Sequence, residues 1–492
     1  VAETVFFALG ALKIGAIFSS TSADFGTATV LDRLEQIKPK VLLVTTNYQY
    51  NGKEIECSQK IAEIVSQLPT LKKVIAIGDQ PSAYLSFNNW IATCNPSHEI
   101  STSGGFDRPG FILFSSGTTG KPKCIVHSAA GVLLKVLSEQ KYHLDIRPTD
   151  NIFYYTTCGW MMWNWLFMGL GTGASIVLFD GNPLFPEPQR LFDIAEQNDL
   201  TFLGVSAKYI DSIRKLSLQP KQTHALSKLR TIASTGSPLS HEGFVYVYES
   251  ISPNIHLASI TGGTDICGCF MLGVPNLPVY AGQIQGAALG LDVQVFAEDG
   301  KPAAVGVKGE LVCQNAFPSV PLYFWDDPDG DKFRSAYFER FAGVWTHGDF
   351  VEVTAEGGYV MHGRSDATLN AGGVRIGTAE IYRITEEFAE IVESLAIAQN
   401  WEGDTRVILF VKLSDGAQLS ESLIDKIKLA LKQKASPRHV PALVMQAPDF
   451  PRTKSNKLVE IAVANAVNKV ANTNLGALAN PESLDWFTNL NL

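Results

Sequence analysis

No run of like charges interrupts these 492 residues, and charged side chains make up only 18% of them. Without a basic tract there is no electrostatic footprint for nucleic acid, and a formal charge of −9, from 40 Lys and Arg against 49 Asp and Glu, points the same way. Cysteine is sparse as well. The seven thiols fall at 57, 94, 124, 158, 267, 269 and 313, with neither zinc-site nor disulfide-framework spacing, so a reducing, cytoplasmic setting is expected. Cys267 and Cys269, two apart, would share one face of a strand, where packing is role enough. There is no internal repeat and no secretory cleavage pattern. The chain opens on Val rather than Met, inside "VAETVFFALGALKIGAIFSS", which reads as an amphipathic helix running into a strand. It is therefore expected to be a piece of a longer protein. One stretch lacks charge altogether: Asn151 to Phe179 is long enough to span a bilayer. Asn164, Gly169, Gly171, Gly173 and Ser175 break it into shorter segments, and no membrane contact is expected.

What is present is a core. Apolar residues make up 46% of the chain, and its length accommodates two or three domains. Strand-length apolar runs ("KVLLVTT", "KKVIAIGD", "FILFSS", "SIVLFDG", "FLGVSA", "LRTIAST", "IHLASIT") recur with helix-patterned segments between several of them. This alternation predicts an α/β fold of layered sheets and helices, largely parallel. Three of the runs end in small-residue loops, "SSGTTG", "STGSPLS" and "SITGGTD", and ligands in such folds bind beyond the carboxyl ends of strands. From Val293 shorter, turn-punctuated strands predict a β subdomain of antiparallel hairpins. A boundary is expected near "GRSDATLNAGGVRIG", giving a large domain 1–365 and a small, mobile α+β domain 366–492.

The loop in "FILFSSGTTGKPKCIVHS" suits phosphate. Gly117 and Gly120 let backbone N–H groups approach anionic oxygens, while Ser115, Ser116, Thr118, Thr119, Lys121 and Lys123 add hydroxyls and charge. It is not a Walker A loop, because Pro122 follows Lys121 and a strand comes next instead of a helix.

At these residues the sequence resembles the adenylate-forming superfamily of acyl-CoA synthetases, adenylation domains and luciferases. The resemblance covers nearly the whole chain. It implies that Thr264 and Asp265 of "SITGGTDICGCF" contact the α-phosphate and a magnesium ion, and that Gly236, Ser237 and Pro238 of "STGSPLS" line adenine. It also implies that Asp349 of "THGDF" grips the ribose hydroxyls, that Arg364 contacts the nucleotide and that Asp366 is the hinge. "PRTKSNKLVE" resembles the family's Ser-Gly-Lys loop, which makes Lys457 the catalytic lysine, with Asn456 where glycine is usual and Lys454 as a competitor. Asn tolerates left-handed backbone angles better than most residues. Gly372, Arg375 and Arg438 would lie toward CoA.

By the same resemblance the cofactors are ATP, Mg²⁺ and CoA, and the partners are small molecules, with no obligate protein partner expected. "FPSVPLYFWDDPDG", "YFERFAGVWTHGDF" and the tail "LANPESLDWF" resemble the branch of the superfamily that activates acetoacetate. The acyl pocket would then be lined by Trp160, Met161, Met162, Thr235, Gly262 and Gly263. Gly262 falls where a tryptophan closes the pocket of the acetate-activating branch. Acetate, propionate or a medium-chain acid is the alternative substrate. A nucleotide-binding regulatory protein without catalysis is the alternative of another class.

Overall fold

The computed structural model describes every residue except 79–82, 96–100, 116–121, 368, 372–373, 402–403, 436, 454–455, 473–474 and 476–477. It divides into two compact units. The first holds Val1–Ser115, Pro122–Asp292 and Asn315–Ala336; the second holds Val293–Gln314 and Tyr337–Leu492.

The first unit is centred on a five-stranded sheet in the order His256–Ser259, Thr231–Thr235, Phe202–Ser206, Asn151–Tyr154, Ser175–Ile176, every pairing parallel. Its strands read as apolar runs because helices cover the sheet. Leu203, Val205, Ile232 and Leu257 from the strands join Phe192, Ile210, Ile213, Phe244 and Val247 in one buried cluster. Pro109–Phe114 pairs antiparallel with Cys124–Ser128, so the Ser/Thr/Gly loop tops a hairpin and not a parallel strand. Val41–Thr45, Lys73–Ile77 and Leu85–Ser86 make a third, parallel sheet.

The charge-free stretch is broken as expected, and one other expectation changes. The charge-free stretch resolves into the Asn151–Tyr154 strand, the Met161–Met168 helix and the short Ser175–Ile176 strand; no helix among the described residues is long and apolar enough to cross a membrane. After the Ala2–Lys13 helix the anticipated strand is reduced to one bridge, Phe18 to Phe111. The hydroxyls of Ser19 and Ser20 bond the carbonyls of Ile112 and Cys158, each at 2.7 Å, and fix this segment through side chains in place of a ladder.

In the second unit Val293–Phe296, Lys308–Cys313, Trp345–Val353 and Tyr359–Arg364 form the anticipated antiparallel layer. A short turn at Ser365–Ala367 leads to the hairpin Leu369–Ala371 with Val374–Ile376 and to the helix Thr378–Thr385. The expected division at 365/366 falls inside this unit. Its other sheet joins Ile391–Trp401, Asp404–Leu413 and Leu443–Gln446. Ala396, Val407 and Leu409 pack against Ile427 and Leu431 of the Glu421–Lys434 helix, whereas Leu395, Ile408 and Phe410 pack against Val463 and Phe487. The Ile391–Trp401 strand is absent from the sequence reading. Buried on both faces over most of its length, it carries no alternation to betray it.

Candidate active site

In the first unit the hairpin brings Ser115 and Lys123 opposite each other: the Ser115 N–H donates to the Lys123 carbonyl at 3.2 Å. The Ser115 hydroxyl oxygen is buried without a hydrogen-bond partner among the described residues. The Lys123 ammonium lies 5.6 Å from the centre of the Phe324 ring. Ser116, Gly117, Thr118, Thr119, Gly120 and Lys121 lie outside the described residues.

Thr264 and Asp265 sit in the turn between the strands Thr261–Gly263 and Gly268–Leu272. The Cys267 N–H closes the turn on the Thr264 carbonyl at 3.2 Å, and Cys267 itself takes a left-handed conformation with φ 45°. Cys267 therefore belongs to the turn and not, as expected, to the strand that holds Cys269. Burial pushes both thiols up, so neither rests as a thiolate. Asp265 and the Thr264 hydroxyl are hard oxygen donors of the kind magnesium prefers. No group of three His, Cys, Asp or Glu among the described residues could hold a metal ion on its own.

His127 was missed by the sequence reading, and its only signal was its place in the strand after the phosphate loop. It is fully buried, and its Nε2 donates to the Thr264 carbonyl at 3.1 Å, tying that strand to the Thr264–Asp265 turn. Burial lowers its pKa from 6.5 to about 4, against the opposing pull of the Thr264 carbonyl and Asp265, so the ring is neutral at pH 7. The unfolded chain takes up this proton first. The neutral ring's contribution to stability is therefore complete above pH 6.5 and lost as pH falls toward 4, a shift worth about 3 kcal/mol. His127→Gln should flatten the fall of melting temperature over that window, leaving the slope due to His143 and His256, which burial also lowers. Equal slopes in wild type and variant would refute this.

Around the anticipated acyl pocket, the Thr235 hydroxyl donates to the Ile260 carbonyl at 3.0 Å, and Gly236 follows in the left-handed region at φ 92°. Trp160 caps the Met161–Met168 helix and meets Tyr154 edge to face at 6.2 Å. Met161 is half-buried, while Met162 is 2% exposed and packs as core. Ser237 and Pro238 are exposed, and Gly263 is half-buried beside Gly262. Gly262 pairs with Cys269 at a bulge, and a Cβ there would stand 1.9 Å from the Gly268 carbonyl oxygen and 2.6 Å from Cys269 Cα. Close approach of two strands requires this glycine, and a tryptophan in its place would strike backbone before it reached a cavity.

In the second unit Asp349 and Arg364 face each other in register on adjacent strands. Arg364 Nη1 reaches Asp349 Oδ1 at 3.0 Å and the His347 carbonyl at 3.1 Å. The preceding Gly348 is left-handed at φ 81°, and its N–H donates to buried Glu310 at 2.8 Å. Glu310 also pairs with Arg340, and neither residue was singled out from the sequence. Glu310 thus holds the irregular part of the Trp345–Val353 strand that presents Asp349.

Lys457 is exposed in a tight turn: its N–H donates to Thr453 Oγ1 at 3.0 Å and its carbonyl accepts from the Thr453 N–H at 2.8 Å. Asn456 has φ 63°, the left-handed conformation a glycine would otherwise supply. Lys454 and Gly372 lie outside the described residues, as do the side chains of Asp366, Arg375 and Arg438. Their backbones place Asp366 in the Ser365–Ala367 turn, Arg375 opposite Asn370 in a hairpin and Arg438 in the Pro437–His439 turn.

Residues 1–319 match the family model described as AMP-binding enzyme. The chain is 50% identical to the acetoacetyl-coenzyme A synthetase of Rhizobium meliloti, spanning 99% of this chain and 76% of that protein. It is 44% identical to the acetoacetyl-CoA synthetase of Xenopus tropicalis, over 99% of this chain and 75% of that one. Among solved structures, the acetoacetyl-CoA synthetase from Streptomyces lividans superposes with a TM-score of 0.93 at 39% identity, covering 99% of this chain and 76% of that one. The anthranilate CoA ligase AuaEII, in complex with anthranoyl-AMP, shares the fold at a TM-score of 0.80 and 22% identity, over 93% of this chain and 84% of its own.

Proposed function

We infer, from a chain that belongs to the AMP-binding enzyme family and within it to the acetoacetyl-CoA synthetases, that it ligates acetoacetate to coenzyme A with ATP, releasing AMP and diphosphate. Identity of 50% along 99% of the chain carries this conclusion. An acetoacetate carboxylate oxygen attacks the α-phosphorus of ATP, the bond to the β-phosphate breaks, and diphosphate leaves. The CoA thiolate then attacks the carbonyl carbon of the mixed anhydride, forming the C–S bond and expelling AMP.

The first step brings two anions together, so it is governed by donors and cations already aimed at the phosphate oxygens. We assign that work to the 115–123 loop, to the Thr264 hydroxyl and to Lys457. Asp265 would hold a magnesium ion, which would supply further charge neutralisation at the phosphate oxygens. Asp349 takes the ribose, with Arg364 beside it. Gly236, Ser237 and Pro238 take adenine, and Thr235, Trp160 and Met161 take the acyl group. The second step needs CoA where Lys457 acted, which motivates a division at 365/366 with Asp366 as hinge and Gly372, Arg375 and Arg438 on the CoA side. The chain's substrates are small molecules. Its cysteines are all free, which suits the cytoplasm.

Exchange of labelled diphosphate into ATP, run with a panel of carboxylic acids, tests the reading. Acetoacetate should exceed acetate at least tenfold in kcat/KM, because the shorter acid leaves pocket surface unfilled. A preference for acetate or propionate would move the chain's substrate, and exchange with no acid would remove the ligase assignment.

A further inference from the structure

The lysine turn is held from outside by a segment more than twenty residues further along the chain. Arg452 and Leu458 bridge the two arms that lead into and out of the turn, and the Val459 N–H donates to the Pro451 carbonyl at 3.1 Å. Against the incoming arm lies the stretch that begins at Leu478. Thr453 bridges Leu478, and the Ala479 N–H donates to the Arg452 carbonyl at 2.7 Å.

Asn480 completes the attachment. Its Oδ1 accepts from the Arg452 N–H at 2.9 Å, while its Nδ2 donates to the Phe450 carbonyl at 2.9 Å and to Asp449 Oδ2 at 3.1 Å. A carboxamide offers one acceptor oxygen and two N–H donors, and all three functions are engaged. Arg452, gripped at both its N–H and its carbonyl, passes the constraint on: Nη1 donates to the Asn456 carbonyl at 3.2 Å and Nη2 pairs with buried Glu393. Asn456 is the left-handed residue immediately before Lys457. The brace is anchored in turn, because Leu484 and Phe487 of the following Ser483–Thr488 helix are buried, with Phe487 edge to face against Phe410 at 5.0 Å.

We propose that Asn480 is a positioning residue for adenylation, acting through Arg452 and Asn456 to hold the turn that carries Lys457. This rests on Lys457 acting in the first half-reaction. An isolated turn would sample several conformations, and a network that uses every donor and acceptor of Asn480 selects one.

The test uses the full chain and measures the two half-reactions apart. Asn480→Ala should slow formation of acetoacetyl-AMP about tenfold in kcat, with KM for ATP little changed, while preformed adenylate is converted to thioester within about twofold of wild type. If Asn480 works only through Lys457, the double variant Lys457→Ala/Asn480→Ala should be no slower than Lys457→Ala alone. Losses that multiply in the double variant, or an equal fall in both half-reactions, would overturn the proposal. Asn480→Ser, which keeps a hydroxyl able to accept from the Arg452 N–H or to donate to the Phe450 carbonyl without adding charge beside Asp449, should show an intermediate loss and serves where the alanine variant folds poorly. A Lys457→Ala enzyme that still forms adenylate normally would overturn the role of the lysine itself, whatever Asn480 does.

Discussion

Lys457→Ala should slow acyl-adenylate formation by at least 10²-fold, the scale of losing one preorganised electrostatic contact to a phosphoryl transition state. Conversion of preformed acetoacetyl-AMP to the thioester should largely persist, since on the proposed division CoA takes the place where Lys457 acted and the ammonium is no longer at the phosphate when AMP leaves. Single-turnover measurements of each step separate the two. Equal loss in both would make Lys457 a general binding group, and a normal first step would transfer attention to Lys454. The left-handed conformation of Asn456 removes one objection to the assignment. Asn there does what glycine would, and Asn456→Gly should be tolerated.

The second large effect is expected at Asp349. Two charge-strengthened bonds to vicinal ribose hydroxyls would be lost in Asp349→Ala, weakening ATP binding by about 1.5–3 kcal/mol. The 2′-deoxy nucleotide should then lose its disadvantage, and competition between ATP and dATP in diphosphate exchange reads this directly. Because Asp349 also holds Arg364 at 3.0 Å, alanine releases a cation as well as removing an acceptor. Asp349→Asn keeps the shape and one acceptor oxygen, so a smaller loss of ATP binding together with a smaller fall in the ATP/dATP ratio identifies the ribose contact. A wild type indifferent to the 2′-hydroxyl would exclude it.

Residues whose chemistry is written in local pattern were legible in the sequence. The parallel strands announced themselves as apolar runs, and motif order singled out Thr264, Asp265, Asp349 and Arg364; that the first two share a turn and the last two face each other on paired strands came only from the structure. What escaped notice depended on contacts distant in the chain. His127 matters because a carbonyl 137 residues away accepts a hydrogen bond from its ring N–H, and Glu310 because a glycine N–H 38 residues away donates to it. Asn480 reached notice only as part of a tail whose composition was recognised, with no hint of what its carboxamide holds. Gly262 was read as an absent wall, but the structure gives the glycine a nearer cause in the approach of the Gly268 and Cys269 backbone. A missing side chain has the same signature in sequence whether it leaves space for a substrate or for another strand.

The order in which the chain visits its two compact units has a practical consequence. Among the described residues it passes from the first to the second at 292/293, returns at 314/315 and leaves again at 336/337. No single cut, by protease or by gene truncation, can therefore release either unit whole. A fragment ending at residue 314 lacks the Tyr323–Phe324 strand that pairs with Cys124–Ser128 beneath the phosphate loop, and one beginning at 315 lacks two of the four strands that carry Asp349. Complementation by split halves should thus succeed only where both pieces are present together, and a ribosome must deliver residue 336 before the first unit has all its parts.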